Sequence, residues 1–167
     1  GLSIITVMIT ASSMGVSSEI VGNYVFSNYL YMQFIPDVGE IVVICAALFG
    51  AGVGFLWFNA PPAMIFMGDT GSLSLGGLIA SVAISVKHEI VLFIIGGLFV
   101  LEDSSVIIQV LSYRIIGKRV FMMAPLNHPF EQKGWSESTI VIRYCIISLI
   151  LAIIGMEALK VRSSFTF

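Results

Sequence analysis

Residues 58–77, FNAPPAMIFMGDTGSLSLGG, place one carboxylate, Asp69, between glycines at the mouth of an apolar run. An aspartate followed by Thr70, Gly71 and Ser72 can cap the helix that begins there or serve as a ligand. The glycines let a phosphate-bearing substrate approach the backbone, and a helix N-terminus favours anions. A Mg2+ ion held by Asp69 and a diphosphate therefore fits this stretch. Just upstream, the Asn59 amide can read a base edge or cap the last carbonyls of the preceding helix. Phe66 can stack on a heterocycle or anchor the chain at a membrane interface, the role read for Trp57. A second stretch, FMMAPLNHPFEQKGW at 121–135, holds His128 beside Asn127, Glu131 and Lys133. A loop histidine of this kind is either simply solvated or functional, and Pro125 and Pro129 account for an irregular backbone without function.

The elements that must position these residues are membrane helices. Hydrophobic residues make up 57% of the 167-residue chain and charged residues 11%, whereas soluble domains are roughly half apolar and about a quarter charged. A net charge of -2 offers no basic surface, which sets nucleic acid aside. Five apolar segments stand out, at 2–17, 39–58, 72–86, 90–111 and 139–159, and each is too continuously apolar for the alternating strands of a barrel. Cys45 and Cys145 lie inside apolar runs without metal-type spacing and read as small core residues. The opening GLSIITVMIT has neither an initiator Met nor a basic leader, so the expectation is no signal peptide and a start partway through a longer protein.

Loop charges set the orientation. Residues 112–138 hold Arg114, Lys118, Arg119 and Lys133, whereas residues 18–38 hold Glu19 and Asp37 and no Lys or Arg. The 112–138 loop, and with it the Asp69 connection at 59–71, is expected on the cytoplasmic side, and 18–38 and the Lys87–Glu89 turn outside. In the fourth segment, Glu102 and Asp103 follow GGLFVL, and a charge at mid-bilayer costs roughly 2.5 to 3.5 kcal/mol. The expectation is a helix that bends near Gly96 and Gly97 and continues as an amphipathic piece leaning out into the cytoplasm. The alternative is a straight helix with its acids facing the bundle.

Four motifs in one register, FLWFNAPPAMIFMGDTGSLSLGG, FVLEDSSVIIQV, GKRVFMMAPLNHPFEQKGW and VIRYCIISLILAIIGMEALKVR, resemble the phospho-N-acetylmuramoyl-pentapeptide transferase family over about residues 39–162. The resemblance implies an all-α, polytopic bundle of about five transmembrane helices, one of them bent, forming part of a ten-helix fold. Residues 1–167 would be the C-terminal half of an integral membrane transferase domain of the bacterial inner membrane, with its active-site face cytoplasmic. The implied reaction moves phospho-MurNAc-pentapeptide from UDP-MurNAc-pentapeptide to undecaprenyl phosphate with Mg2+, giving lipid I and UMP in peptidoglycan biosynthesis. By motif, Asp69 matches the magnesium-binding acid, Phe66 the aromatic that stacks on uracil, Asn59 a polar residue near the nucleoside and Gln109 a glutamine lining the same cleft. The resemblance further implies the lipid bilayer and an N-terminal half as partners, leaves a homodimer open, and involves no nucleic acid.

Two departures bear on activity. The family's loop carries three consecutive histidines after AP and one apolar residue. Here they read Asn127, His128 and Pro129, so His128 keeps a catalytic assignment and Asn127 is left as a substrate contact. The opening GLS resembles the tail of an aspartate-rich motif, so the family's first five helices and their acids are expected to be missing. Catalysis by this chain alone is then not expected. The rival readings are a non-enzymatic membrane remnant or docking half of a split protein, and an ion-coupled transporter using Asp69 and Glu102, which would call for a repeat symmetry that the chain lacks.

Overall fold

A computed structural model describes residues 2–60, 62–117 and 134–164. Its helices, in order, are α1 (Leu2–Gly22), α2 (Tyr24–Tyr29), α3 (Ile41–Asn59), α4 (Asp69–Val86), α5 (Glu89–Ile95), α6 (Gly97–Ile116) and α7 (Glu137–Ser164), with a 3-10 turn at Val38–Glu40. The architecture is an all-α membrane bundle. Among the described residues four helices are long and apolar enough to cross a bilayer, and the bent pair α5–α6, counted as one span, makes a fifth. Helices are the form that lipid imposes, since each closes its own backbone hydrogen bonds. At the start of α7, the Ser136 carbonyl accepts from the N–H groups of Thr139 and Ile140 at 3.0 and 3.2 Å.

Helix α1 is the hub. Its membrane-spanning window is 61% buried within the protein, against 11% for α3 and 22% for each of α4 and α7. Its buried face mixes apolar Ile4, Val7, Met8, Ala11, Met14 and Val21 with polar Thr6, Thr10, Ser17 and Ser18. Their hydroxyls are satisfied largely within the helix: Thr10 donates to the Thr6 carbonyl at 2.8 Å, Ser17 to Ser13 at 2.9 Å and Ser18 to Gly15 at 2.8 Å. Helix α1 runs five residues beyond the expected end at residue 17. Two polar contacts tie α1 to α7, Thr6 to Ser148 at 3.4 Å and the Ser17 hydroxyl to the Met156 sulfur at 3.4 Å. Small residues let the neighbours close in. A side chain on Gly22 would run into the backbone of Gly39, so the end of α1 and the turn before α3 meet backbone to backbone.

Packing fixes the direction of each span. Ile4, Val7, Met8 and Ala11 of α1 meet Leu48 of α3 and Ile79 of α4, with Phe55, Met67 and Leu75 around them. Farther along α1, Met14 meets Val38, Cys45, Val82, Ala83 and Val86. Helices α1 and α4 therefore run one way and α3 the other, while the Thr6–Ser148 and Ser17–Met156 contacts make α7 parallel to α1. The 59–68 connection and the start of α7 thus share one end of the bundle. The 23–37 connection and the Lys87–His88 turn share the other.

Helix α5 has seven residues, about 10 Å at 1.5 Å each, too short for a hydrocarbon core of about 30 Å. It breaks at Gly96, and α6 leaves at 79°, where the expectation put the bend. Gly96 sits at φ -81°, ψ 16°; its N–H reaches the Leu92 carbonyl at 2.7 Å and its carbonyl receives Val100 at 3.2 Å. Past the break, only Leu98 and Ser105 of α6 are buried, and half-buried Glu102 lies within charge range of Tyr144 on α7. The hinge is seated by α7, because Gly155 faces Ile95 so closely that a Cβ would overlap that side chain. Gly155→Ala is therefore expected to destabilise the bundle by about 1 to 3 kcal/mol, read as a lowered unfolding midpoint in detergent. Combining it with Ile95→Val should recover part of that loss; strictly additive effects would show that the two residues are not coupled.

Candidate functional site

The connection from α3 to α4 is a built loop. Asn59, the last residue of α3, is 6% exposed, and its Nδ2 donates to the Ile65 carbonyl at 2.6 Å. Beside it the Met64 N–H donates to the Phe58 carbonyl at 2.9 Å. Together these bonds fold residues 62–65 back over the end of α3, and breaking one in a buried setting strands a polar group at about 1 to 3 kcal/mol. On the return leg Met67 packs on the cluster around Ile4 and Met8. Gly71 gives Met67 its room, since a Cβ there would lie 2.9 Å from the Met67 Cγ.

This folding turns Phe66 and Asp69 outward. The N-cap of α4 is Gly68, in extended backbone at φ -81°, ψ 174°, and its carbonyl accepts from the N–H groups of Gly71 and Ser72, both at 3.1 Å. Asp69 is the first helical residue, exposed, with no side-chain partner among the described residues. The Asp69 side chain makes no cap bond to the helix, so the carboxylate remains available to a ligand while complementing the helix dipole. Phe66 is 82% exposed, an aromatic face open to a ring or to the membrane interface.

The remaining sequence-derived residues lie elsewhere. Gln109 is half-buried on α6, past the hinge, and α6 shares no extended packing face with α4. Asn127 and His128 lie outside the described residues. Among the described residues no group of three or more His, Cys, Asp or Glu stands together as a metal site, so Asp69 offers one hard oxygen ligand. A single carboxylate suits Mg2+, which takes one or two carboxylates and completes its shell with substrate phosphates and water. Sequence reasoning did not anticipate that the Asn59 amide holds the loop through its bond to the Ile65 carbonyl. The available signal was an Asn at a helix end followed by a proline-rich turn, where short polar side chains bond nearby backbone.

Comparison with known proteins gives the loop its context. The chain is 60% identical over 97% of its length to the phospho-N-acetylmuramoyl-pentapeptide-transferase of Rhodopseudomonas palustris strain BisB18. It is 59% identical over 97% to that of Phenylobacterium zucineum strain HLK1, and 60% identical over 97% to that of R. palustris strain BisA53. It spans 44–45% of the length of these relatives. The profile of glycosyl transferase family 4 matches residues 1–87, the span that holds the hub helix α1, the Asn59-pinned loop and Asp69. By that match, the chain belongs to glycosyl transferase family 4.

Proposed function

We propose that this chain is the C-terminal portion of an inner-membrane enzyme that transfers phospho-MurNAc-pentapeptide from UDP-MurNAc-pentapeptide to undecaprenyl phosphate, releasing UMP and forming lipid I. The carrying observation is the exposed Asp69 carboxylate, without a side-chain partner among the described residues and presented by a loop that buried Asn59 holds in place. The names of the relatives support the substrates. The basic 112–138 segment supports a cytoplasmic position for the end of the bundle that carries Asp69.

In this reading Asp69 would hold Mg2+, and the ion would supply charge neutralisation at the diphosphate when bound. The exposed ring of Phe66 stacks on uracil and orients the nucleotide. Asn59 acts as a positioning residue through Ile65 and keeps Phe66 and Asp69 in register. Gln109 and Asn127 contact the substrate, and His128 supplies a donor to the phosphates. The chemistry is phosphoryl transfer, in which charge stabilisation and alignment do most of the catalysis. The N-terminal part found in the relatives supplies the remaining acids.

Two measurements follow, both on this chain co-expressed with the N-terminal half of the R. palustris relative. Asp69→Asn leaves the Gly68 cap intact and removes the charge, so Mg2+-dependent transfer of a fluorescent UDP-MurNAc-pentapeptide should be lost while the helix stays folded. Undiminished turnover would leave Asp69 with a structural role only. Phe66→Ala should weaken UDP-sugar binding by about 1 to 3 kcal/mol, the range for an aromatic stacked on a base. An unchanged affinity would identify Phe66 as a membrane anchor.

A further inference from the structure

The connection between α1 and α3 carries no charged residue from Ile20 to Pro36, which is unusual for a segment that faces water between two spans. It is folded against the bundle. Ser27 is 1% exposed; its N–H donates to Asn23, and its carbonyl receives the N–H of Met32 at 2.8 Å. The Ile35 N–H reaches the Val21 carbonyl of α1 at 3.1 Å. Ile35 and Met32 pack into two different core clusters, and Asn23 caps α2 by accepting from the Val25 N–H at 3.0 Å.

What this pinned segment turns outward is aromatic. Tyr24, Phe26, Tyr29, Tyr31 and Phe34 are all exposed, Tyr29 at 81%. Tyr24 and Phe34 meet edge to face at 5.8 Å, which joins the two legs of the loop. Water would have to hydrate this surface with no charge to favour it. A bilayer interface accepts it, because rings with one polar end settle where apolar and wet regions meet. At the start of α3, a few residues on, Val43 and Ile44 are exposed as well.

We infer that residues 23–35 form an interfacial anchor, seated in the headgroup boundary of the leaflet opposite the Asp69 loop. Its partner is the lipid surface itself. The arrangement resembles an amphipathic segment lying in the membrane plane, here held by hydrogen bonds to α1. By fixing the end of α1, the anchor sets the depth of the hub helix.

Tryptophan quenching in bilayers tests this with the full chain, in a Trp57→Phe, Trp135→Phe background. A Tyr29→Trp variant should be quenched by phosphatidylcholine brominated near the headgroup and shielded from aqueous acrylamide, close to a Val43→Trp reference and unlike a Glu89→Trp reference at the same end. Phe26→Trp provides a second reporter should Tyr29→Trp fold poorly. Acrylamide quenching equal to that of Glu89→Trp would place the loop in water and overturn the inference. Protection from both quenchers would mean that protein covers the loop, and would overturn it equally.

Discussion

In hydrocarbon, helices gain nothing from burying apolar surface against one another, so a bundle holds only where backbones come close enough for dense packing and shared polar contacts. Everything here turns on α1 meeting that constraint. Its buried face combines threonine, serine and glycine with larger apolar residues such as Ile4, Met8 and Met14, and its hydroxyls are satisfied within the helix or across to α7. Along α3 this face meets apolar side chains, with Met8 seated against Gly52, and both α3 and α7 carry large apolar side chains outward. Val43 and Ile44 of α3 and Ile146 and Ile150 of α7 are exposed.

That asymmetry carries through to the site. With α1 and α3 locked antiparallel, the end of α3 is a fixed platform, and the buried Asn59 amide uses it to fold the following loop back on itself. Met67 docks the return leg on the same cluster that α1 organises. The carboxylate at the start of α4 then needs no internal partner, since Gly68 completes the cap. At the other break, Gly96 sends α6 out of the bundle at 79°, and the close contact of Gly155 with Ile95 keeps that hinge against α7. Two departures from straight helices, one loop and one bend, thus stand on tight small-residue packing.

Much of this was legible in the sequence. Continuous apolar runs marked the spans, and adjacent Gly96 and Gly97 ahead of Glu102 marked the bend. What was not legible depends on contacts between distant residues. The serines near the end of α1 look like helix breakers until their return bonds and burial are seen, so the helix is longer than its apolar run. The start of α4 at Asp69, with Gly68 as its cap, follows from the backbone of Gly68 rather than from residue type. The partner of Asn59 lies six residues on, across a turn whose shape no local pattern specifies. The 23–37 connection read as an ordinary external loop, because its aromatic surface emerges only once Ser27 and Ile35 are known to be pinned.

The central claim is that a buried amide holds a metal-binding carboxylate in position, and Mn2+ affinity in the presence of pyrophosphate tests it most directly. Pyrophosphate lacks a base, so an effect of Asn59 must pass through the loop. Electron paramagnetic resonance of free Mn2+, with the chain co-expressed with an N-terminal half as above, gives the affinity. Asn59→Leu, which keeps the volume and deletes the hydrogen bond, should weaken Mn2+ binding by about tenfold, or about 1.4 kcal/mol, with Asp69 untouched. Mn2+ affinity unchanged by Asn59→Leu would contradict the account.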